Sequence, residues 1–326
     1  MSASGEFDRY GIYAARIGDI LLRDVDEIKF GSASNKNELI AGGNILRSSV
    51  INSHADPMFS LRTRDLINLL SGSSYIPLMT GYACNINAGS PTAPSLFQFQ
   101  KRADGSTFAG SNHQVLTSNK GFAICGELSA AQDDVEGIKG SVEYYCLSTD
   151  GQTVPITQNS TSLTSTPNPG SQFYMGPVWT GDLNSTPLEI KGIQSWRYVP
   201  GVTYSPKRAS GNPFAMVGSI VKQAPELRIN TADIGALNTI MASAHFGKTI
   251  ASPDRRITCY GQLGVVGGSG RVPKATASHF KITFSLGDCT VESIGVEGQA
   301  DGSTDVVFRP TELPVLTFSV AIQADA

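Results

Sequence analysis

The feature that most constrains how this chain can fold is a match between two of its own segments. With Pro57 set over Pro225, PMFSLRTRDLINLL lies over PELRINTADIGALN without a gap. Pro57/Pro225, Thr63/Thr231, Asp65/Asp233 and Leu69/Leu237 coincide, and Phe59/Leu227, Leu61/Ile229 and Leu66/Ile234 stay apolar. A strand-like run precedes each proline, EIKF ending at Phe30 and VTY ending at Tyr204. Downstream, Phe122-x-Ile124 and Leu128 match Phe280-x-Ile282 and Leu286, and Val135-Glu-Gly-Ile138 matches Val291-Glu-Ser-Ile294. Val142-Glu143 then matches Val296-Glu297, and Asp150-Gly151 matches Asp301-Gly302. Short matches that keep one order along a chain mark an internal duplication, and a duplicated chain builds one unit twice. The 326 residues therefore read as a first domain over 1–157 and a second of the same kind over 190–326. Between them, 158–189 reads as a linker, since QNSTSLTSTPNPGSQF offers little that could pack. The first domain carries extra length at 83–118, which reads as an inserted loop or hairpin.

Within each copy the pattern is that of strands. RIGDILLRDVDEIKF, GFAICGEL, SVEYYCL, TFSLGDCTV, TDVVFRP and LTFSVAIQ alternate apolar and polar residues and end at Gly, Asn or Pro. Half-buried antiparallel strands require that period, because successive side chains point to opposite faces. Two helix starts stand out, Thr63-Arg64-Asp65 before LINLL and Thr231-Ala232-Asp233 before IGALNTIMA. Thr63 and Thr231 are expected to cap the first turns, and Asp65 and Asp233 to sit at the positive ends of the helix dipoles. The expected fold class is mostly β: two tandem β-sandwich or half-barrel domains, each with one flanking α-helix and a long inter-strand loop. Those loops are 31–56 and 205–224, too long to be idle connections. Leu39, Ile40, Ile45 and Leu46 give the first one apolar patches that want a partner surface.

Composition removes several classes of function. With 25 Lys+Arg against 28 Asp+Glu, a net charge of -3 and 16% charged residues, the chain is too apolar for wholesale disorder and has no basic surplus for gripping phosphates. No run of about 18 apolar residues offers a membrane helix, and MSASGEFDRYGIY shows no secretory leader. Cys84, Cys125, Cys146, Cys259 and Cys289 form no CxxC pair, and His54, His113, His245 and His279 are scattered. No metal and no cofactor is therefore expected. The glycines between Gly261 and Gly270 run into Arg271-Val272-Pro273, not into the Lys-Ser/Thr and helix of a phosphate loop. No G-x-S-x-G elbow occurs. Asp24, Asp26 and Glu27, and Asp133, Asp134 and Glu136, lack the loop pattern of a calcium site and read as solvated sheet faces. Lys207-Arg208 and Arg255-Arg256 are isolated basic pairs. No catalytic constellation emerges, and an enzyme is not expected.

The order strand, long polar loop, strand, Thr-led helix (TRDLINLL, TADIGALN) and further antiparallel strands resembles the tail tube proteins of long-tailed bacteriophages, over most of each copy. That resemblance implies a β-sandwich with a flanking helix, whose inner sheets join neighbours into a continuous barrel around a lumen. It implies rings stacked through the long loop, here Leu39, Ile40, Ile45 and Leu46. With the domain duplicated, three chains make a ring of pseudo-six-fold symmetry. The implied partners are copies of the chain, other tail proteins at the tube ends, and double-stranded DNA that passes without specific binding; no membrane is involved. The implied place is the virion tail, assembled in the host cytoplasm. Acidic residues suit a lumen that must not hold phosphates, and Asp24, Asp26, Glu136 and Glu292 are the expected lumen-facing acids. Other readings are a different virion β-protein, such as a capsid decoration or baseplate component, or a soluble carbohydrate-binding module. A sugar binder favours exposed loop aromatics, whereas the only tryptophans, Trp179 and Trp196, lie near the inter-copy segment.

Overall fold

A computed structural model describes residues 9–18, 20–39, 49–71, 84–86, 94–104, 107–110, 112–163, 171–182, 188–232, 255–265, 270–286, 290–296 and 303–322. The protein is mostly β, built from several antiparallel sheets. The first half supplies β1 (Tyr10–Ile17), β2 (Ile20–Leu22), β3 (Val25–Leu39), β4 (Ser49–Thr63), β5 (Cys84–Ile86), β6 (Ser95–Asp104), β7 (Thr107–Phe108), β8 (His113–Ser118), β9 (Gly121–Ala131), β10 (Lys139–Cys146) and β11 (Thr157–Thr161). The second supplies β12 (Phe173–Asp182), β13 (Leu188–Ile190), β14 (Ile193–Val199), β15 (Val202–Lys207), β16 (Val217–Gln223), β17 (Glu226–Thr231), β18 (Arg255–Leu263), β19 (His279–Ser285), β20 (Thr290–Val296), β21 (Thr304–Arg309) and β22 (Val315–Val320). Helix α1 spans Leu66–Ser71.

Period-two patterning does what physics asks of it. In β10, Gly140, Val142, Tyr144 and Cys146 are buried while the residues between them are half-exposed. In β17, Leu227, Ile229 and Thr231 turn inward in the same way.

The strands form one strand plan in each half. One sheet runs β11-β8-β6-β1-β2, with β7 beside β6, and another runs β22-β19-β18-β12-β13. Each packs on its own part of a nine-stranded sheet, ordered β20-β21-β17-β14-β9-β10-β4-β3 with β5 beside β9. Ala15, Ile17 and Phe97 meet Phe59, Leu61, Val142 and Tyr144, while Val178, Cys259 and Phe280 meet Leu227, Ile229 and Phe308. Phe59 stacks on Phe97 with ring centroids 3.7 Å apart, and Tyr144 lies against Phe97 at 5.6 Å. Both layers share a single buried core, the arrangement of packed β-sheets.

The correspondence extends to irregularities. Thr63 lies opposite Val25, and Thr231 opposite Ile193. The ladder slips just after each, between Val25 and Glu27 and between Ile193 and Ser195. A second slip falls between Asn35 and Lys36 and, at the same distance along the other copy, between Thr203 and Tyr204. Asp24 and Gly192 both take positive φ, 47° and 74°. Each presents its carbonyl to the residue after the threonine, Arg64 N–H at 3.1 Å and Ala232 N–H at 2.8 Å.

Five expectations change. The segment 83–118 is not an insertion: it holds β5, β6, β7 and β8, and β6 and β8 take the places in their outer sheet that β18 and β19 take in the other. The segment 158–189 is not a spacer: it holds most of β11, all of β12 and most of β13, each paired into a sheet. The long loops are paired strands: 25–39 and 49–63 form one hairpin, and 202–223 another. The first-copy helix is only six residues, and 233–250, where the second is expected, lies outside the described residues. The downstream repeat matches fall out of register. Phe122 belongs to β9 in the nine-stranded sheet, but Phe280 belongs to β19 in the outer one. Any strand satisfies an apolar alternation, so period two cannot distinguish one strand from its neighbour.

Candidate assembly interface

The nine-stranded sheet is continuous because β14 of the second half pairs with β9 of the first. Ser195, Trp196, Arg197 and Tyr198 lie opposite Ala131, Ala130, Ser129 and Leu128. The seam is sealed elsewhere: Gln132 N–H donates to Gln194 C=O at 2.8 Å, and Ile138 N–H to Phe173 C=O at 2.7 Å. Tyr198 and Trp196 are fully buried beside it. Within each half the four strands of this sheet run in one order, β9-β10-β4-β3 and β20-β21-β17-β14. The halves are thus joined head to tail, and the two strands left at the ends among the described residues, β3 and β20, are the same kinds of strand that pair at the seam.

A hairpin reinforces the seam. From Gly201, whose φ is +62°, β15 and β16 fold over the first half. Tyr204 stacks on Tyr145 at 4.2 Å and leans on Phe122 at 4.8 Å, over a small cluster with Ile124, Leu147 and Ala215. Backbone bonds run from Ala55 N–H to Pro213 C=O at 2.9 Å and from Ser148 N–H to Ala215 C=O at 2.8 Å. Arg208 pairs with Asp56, and Asn212 Nδ2 donates to Asp150 C=O at 3.1 Å. Burial pushes the Tyr145 and Tyr204 phenols up, so this contact stays uncharged.

Beyond the apolar patch of Phe122, Ile124 and Tyr145 that the hairpin covers, the face of the nine-stranded sheet away from the core is polar. Since Ile28, Leu61, Leu128, Val142, Trp196, Leu227 and Val306 turn inward, alternation puts Glu27, Lys29, Arg62, Glu127, Glu143, Arg197, Arg228 and Asp305 on the other side. Its described cations are matched to carboxylates. Arg197 Nε donates to Glu127 Oε2 at 2.7 Å across the seam, and Arg62 pairs with Asp26 at 3.1 Å and Glu27 at 3.5 Å. Arg228 pairs with Glu226 at 3.3 Å, and Lys29 with Glu27. The Lys29 ammonium, then the Arg62 guanidinium, hold the Glu27 carboxyl below its ordinary value.

The expected lumen acids are placed differently from one another. Asp24 sits in the turn between β2 and β3, Asp26 is the second residue of β3, and Glu136 lies in the turn between β9 and β10. Arg64 gathers all three, at 3.7, 3.8 and 3.4 Å. Lys139 pairs with Glu136 at 2.5 Å and lowers its pKa, with Arg64 as the second cause. These acids therefore form an ion-paired rim at one end of the sheet. Glu292 lies in β20 at a slip in the ladder; its side chain is outside the described residues.

The helix caps also resolve. Asp65, not Thr63, caps α1: its Oδ1 accepts Asn68 N–H at 3.4 Å, and its Oδ2 accepts Arg23 N–H at 3.0 Å. Thr63 still closes the turn, because its hydroxyl accepts Asp65 N–H at 3.0 Å and donates to Arg23 C=O at 2.7 Å. Its hydroxyl also lies 3.3 Å from Asp24 C=O, and Thr231 repeats that contact with Gly192 C=O at 3.2 Å, while Asp233 lies outside the described residues. Of the stacking-loop residues, Leu39 ends β3, and Ile40, Ile45 and Leu46 lie outside.

Sequence reasoning missed the seam, the docked hairpin and a pair of matched histidines. His113 Nδ1 accepts Lys101 N–H at 3.2 Å, and His279 Nδ1 accepts Leu263 N–H at 3.0 Å, at corresponding places in the two outer sheets. The signal was present as HQVLT and HFKIT. Among the described residues no His, Cys, Asp or Glu cluster could hold a metal, and no helix is long and apolar enough to cross a membrane. No protein-family model and no curated protein matches the chain.

Proposed function

We propose that the chain is a structural subunit that assembles head to tail into rings, and that stacked rings form a bacteriophage tail tube around a DNA-conducting lumen. The observation that carries this reading is the seam: one edge of each strand plan joins the other inside the chain, and the same two edges are left over at its ends. A head-to-tail contact that rotates by the right angle closes a ring, and closure removes open strand edges. In that ring two strand plans per chain give three chains pseudo-six-fold symmetry. The polar sheet face lines the lumen, where arginines already matched to carboxylates have little left to offer a passing phosphate. The chain is then neither an enzyme nor a cofactor carrier; it contacts its own copies, other tail proteins at the tube ends and, transiently, duplex DNA, in a virion assembled in the host cytoplasm.

Electron microscopy of the purified protein tests this. The expected result is rings or tubes on the order of 80–100 Å across, the size that three chains of two domains reach around a duplex-wide hole. A monomer that stays monomeric at high concentration would overturn it.

A further inference from the structure

We infer that the contact between chains repeats the seam inside the chain residue for residue, with Phe30 of one copy opposite Val296 of the next; this rests on the self-assembly proposed above. At the seam Leu128 faces two partners, Gly140 on β10 and Tyr198 on β14. In the second half Val296 faces Thr304 on β21. Gly140 and Thr304 correspond, since they lie opposite Thr63 and Thr231. Val296 therefore holds the Leu128 position on the open strand β20. Tyr198 and Phe30 correspond too, lying opposite Leu227 and Phe59, four residues before those threonines.

Exposure points the same way. Tyr198 is fully buried, but Phe30 is 56% exposed on the open edge of β3. Phe173 and Met175, buried in the second half, correspond through the outer-sheet register to Tyr10 and Ile12, which are exposed. Three apolar positions are thus covered where another copy of the plan abuts and uncovered where none does. Beside Phe30 an apolar cleft of about 440 Å³, lined also by Pro57, Leu116, Val154 and Phe214, lies open. An unpaired strand with apolar neighbours is a template for strand addition. The occupant is a second copy of this chain, because the complementary edge, β20, is carried by the chain itself.

The test uses full-length chains with paired cysteines. Phe30→Cys with Val296→Cys should cross-link copies on oxidation into multimers that end at the closed ring, read on non-reducing gels beside the unsubstituted protein. Phe30→Cys with Ile294→Cys, on the same face but two residues out of register, should cross-link at least tenfold less. Phe30→Asp should keep the parent's tryptophan emission and raise the concentration needed for assembly more than tenfold. Normal rings with cross-linking at 294, or at neither site, would overturn the register while leaving the ring reading intact. Normal assembly of Phe30→Asp would also overturn it. A parent chain that never assembles would overturn both.

Discussion

His279→Ala separates a structural histidine from a bystander. The side chain is fully buried; Nδ1 accepts Leu263 N–H at 3.0 Å, and Nε2 lies 3.0 Å from Pro273 C=O, which requires the Nε2–H tautomer. Truncation removes both bonds. Leu263 is half-buried and its amide is left without that acceptor, a loss of about 1–2 kcal/mol. Pro273 is exposed, so its carbonyl can turn to water at a cost of about 0.5 kcal/mol or less. The space left by the imidazole adds about 1–2 kcal/mol. The sum is about 3 kcal/mol. His279→Asn, which can offer an oxygen near the Nδ1 position, should recover about 1 kcal/mol of it. His113→Ala loses one bond, at 3.2 Å, and should cost about 2 kcal/mol. Urea unfolding followed by tryptophan emission suits the measurement, since Trp179 and Trp196 are both buried in the second half, with circular dichroism for the first. An unchanged midpoint for His279→Ala, or a larger loss for His113→Ala, would refute the reasoning.

Three further outcomes follow from other sites. At Gly201 an added Cβ would lie 1.9 Å from Ala224 C=O, at a φ of +62°, so Gly201→Ala should undock the hairpin; faster hydrogen exchange at the Ala55 and Ser148 amides is the readout, and unchanged exchange counts against it. The Asp150 carboxylate accepts Thr153 N–H, Thr153 Oγ1–H, Gln152 N–H and Ser148 Oγ–H, which hold its pKa below the ordinary range. A depressed folded value gives stability that is fully present above the unfolded value, near 3.9, and lost as pH falls below it; Asp150→Asn should flatten that acid limb of the urea midpoint. Burial pushes the Cys146 thiol up to about 12 and raises Cys125 and Cys259 as well. Peptide mass spectrometry should find these three thiols alkylated at pH 8 only after denaturation, and native labelling would contradict their burial.

How much of this was legible in the letters depends on what kind of signal each feature leaves. The Pro57/Pro225 match held its register because Thr63 and Thr231 each perform a task that alternation does not dictate, donating to the carbonyl of a turn residue before the next strand. Downstream, Phe122 and Phe280 matched only as inward or outward members of strands, and they belong to different sheets. HQVLT and HFKIT carried the better signal, since a buried histidine holding a backbone amide is a specific role. The first helix start was legible, but the cap moved to Asp65 because Thr63 ends a strand three residues before Leu66 starts the helix, where its hydroxyl oxygen accepts Asp65 N–H and not an amide of the first turn. The seam left no local trace: Trp196 and Tyr198 look like core residues of any strand, and only topology puts them beside β9. The rim acids were named, but their cations, Arg64 and Lys139, come from other elements.

In the proposed assembly the two hairpins decide how firmly each contact is held. Tyr204 and Ile220 face each other across the second hairpin, and the corresponding pair across the first is Lys36 and Asn52. Their docking ground differs as well: Tyr145 and Phe122 face each other at the end of β10 and β9, while Arg309 and Thr290 hold those places on β21 and β20. Inside the chain the sheet seam is therefore locked by stacked aromatics; between chains the same seam would meet polar residues at the corresponding positions. Stacked and edge-on ring pairs contribute about 0.5–1.5 kcal/mol each beyond area burial. With Tyr204 on Tyr145 and Phe122 on Tyr204, the internal seam is stronger by about 1–3 kcal/mol, or roughly 5- to 150-fold in equilibrium constant. An assembly held this way should come apart between chains before any chain opens. In graded urea, light scattering from tubes should fall at a concentration where tryptophan emission is still native, and Tyr204→Ala should bring the two transitions together. Coincident transitions in the unsubstituted protein would place the weak contact inside the chain instead.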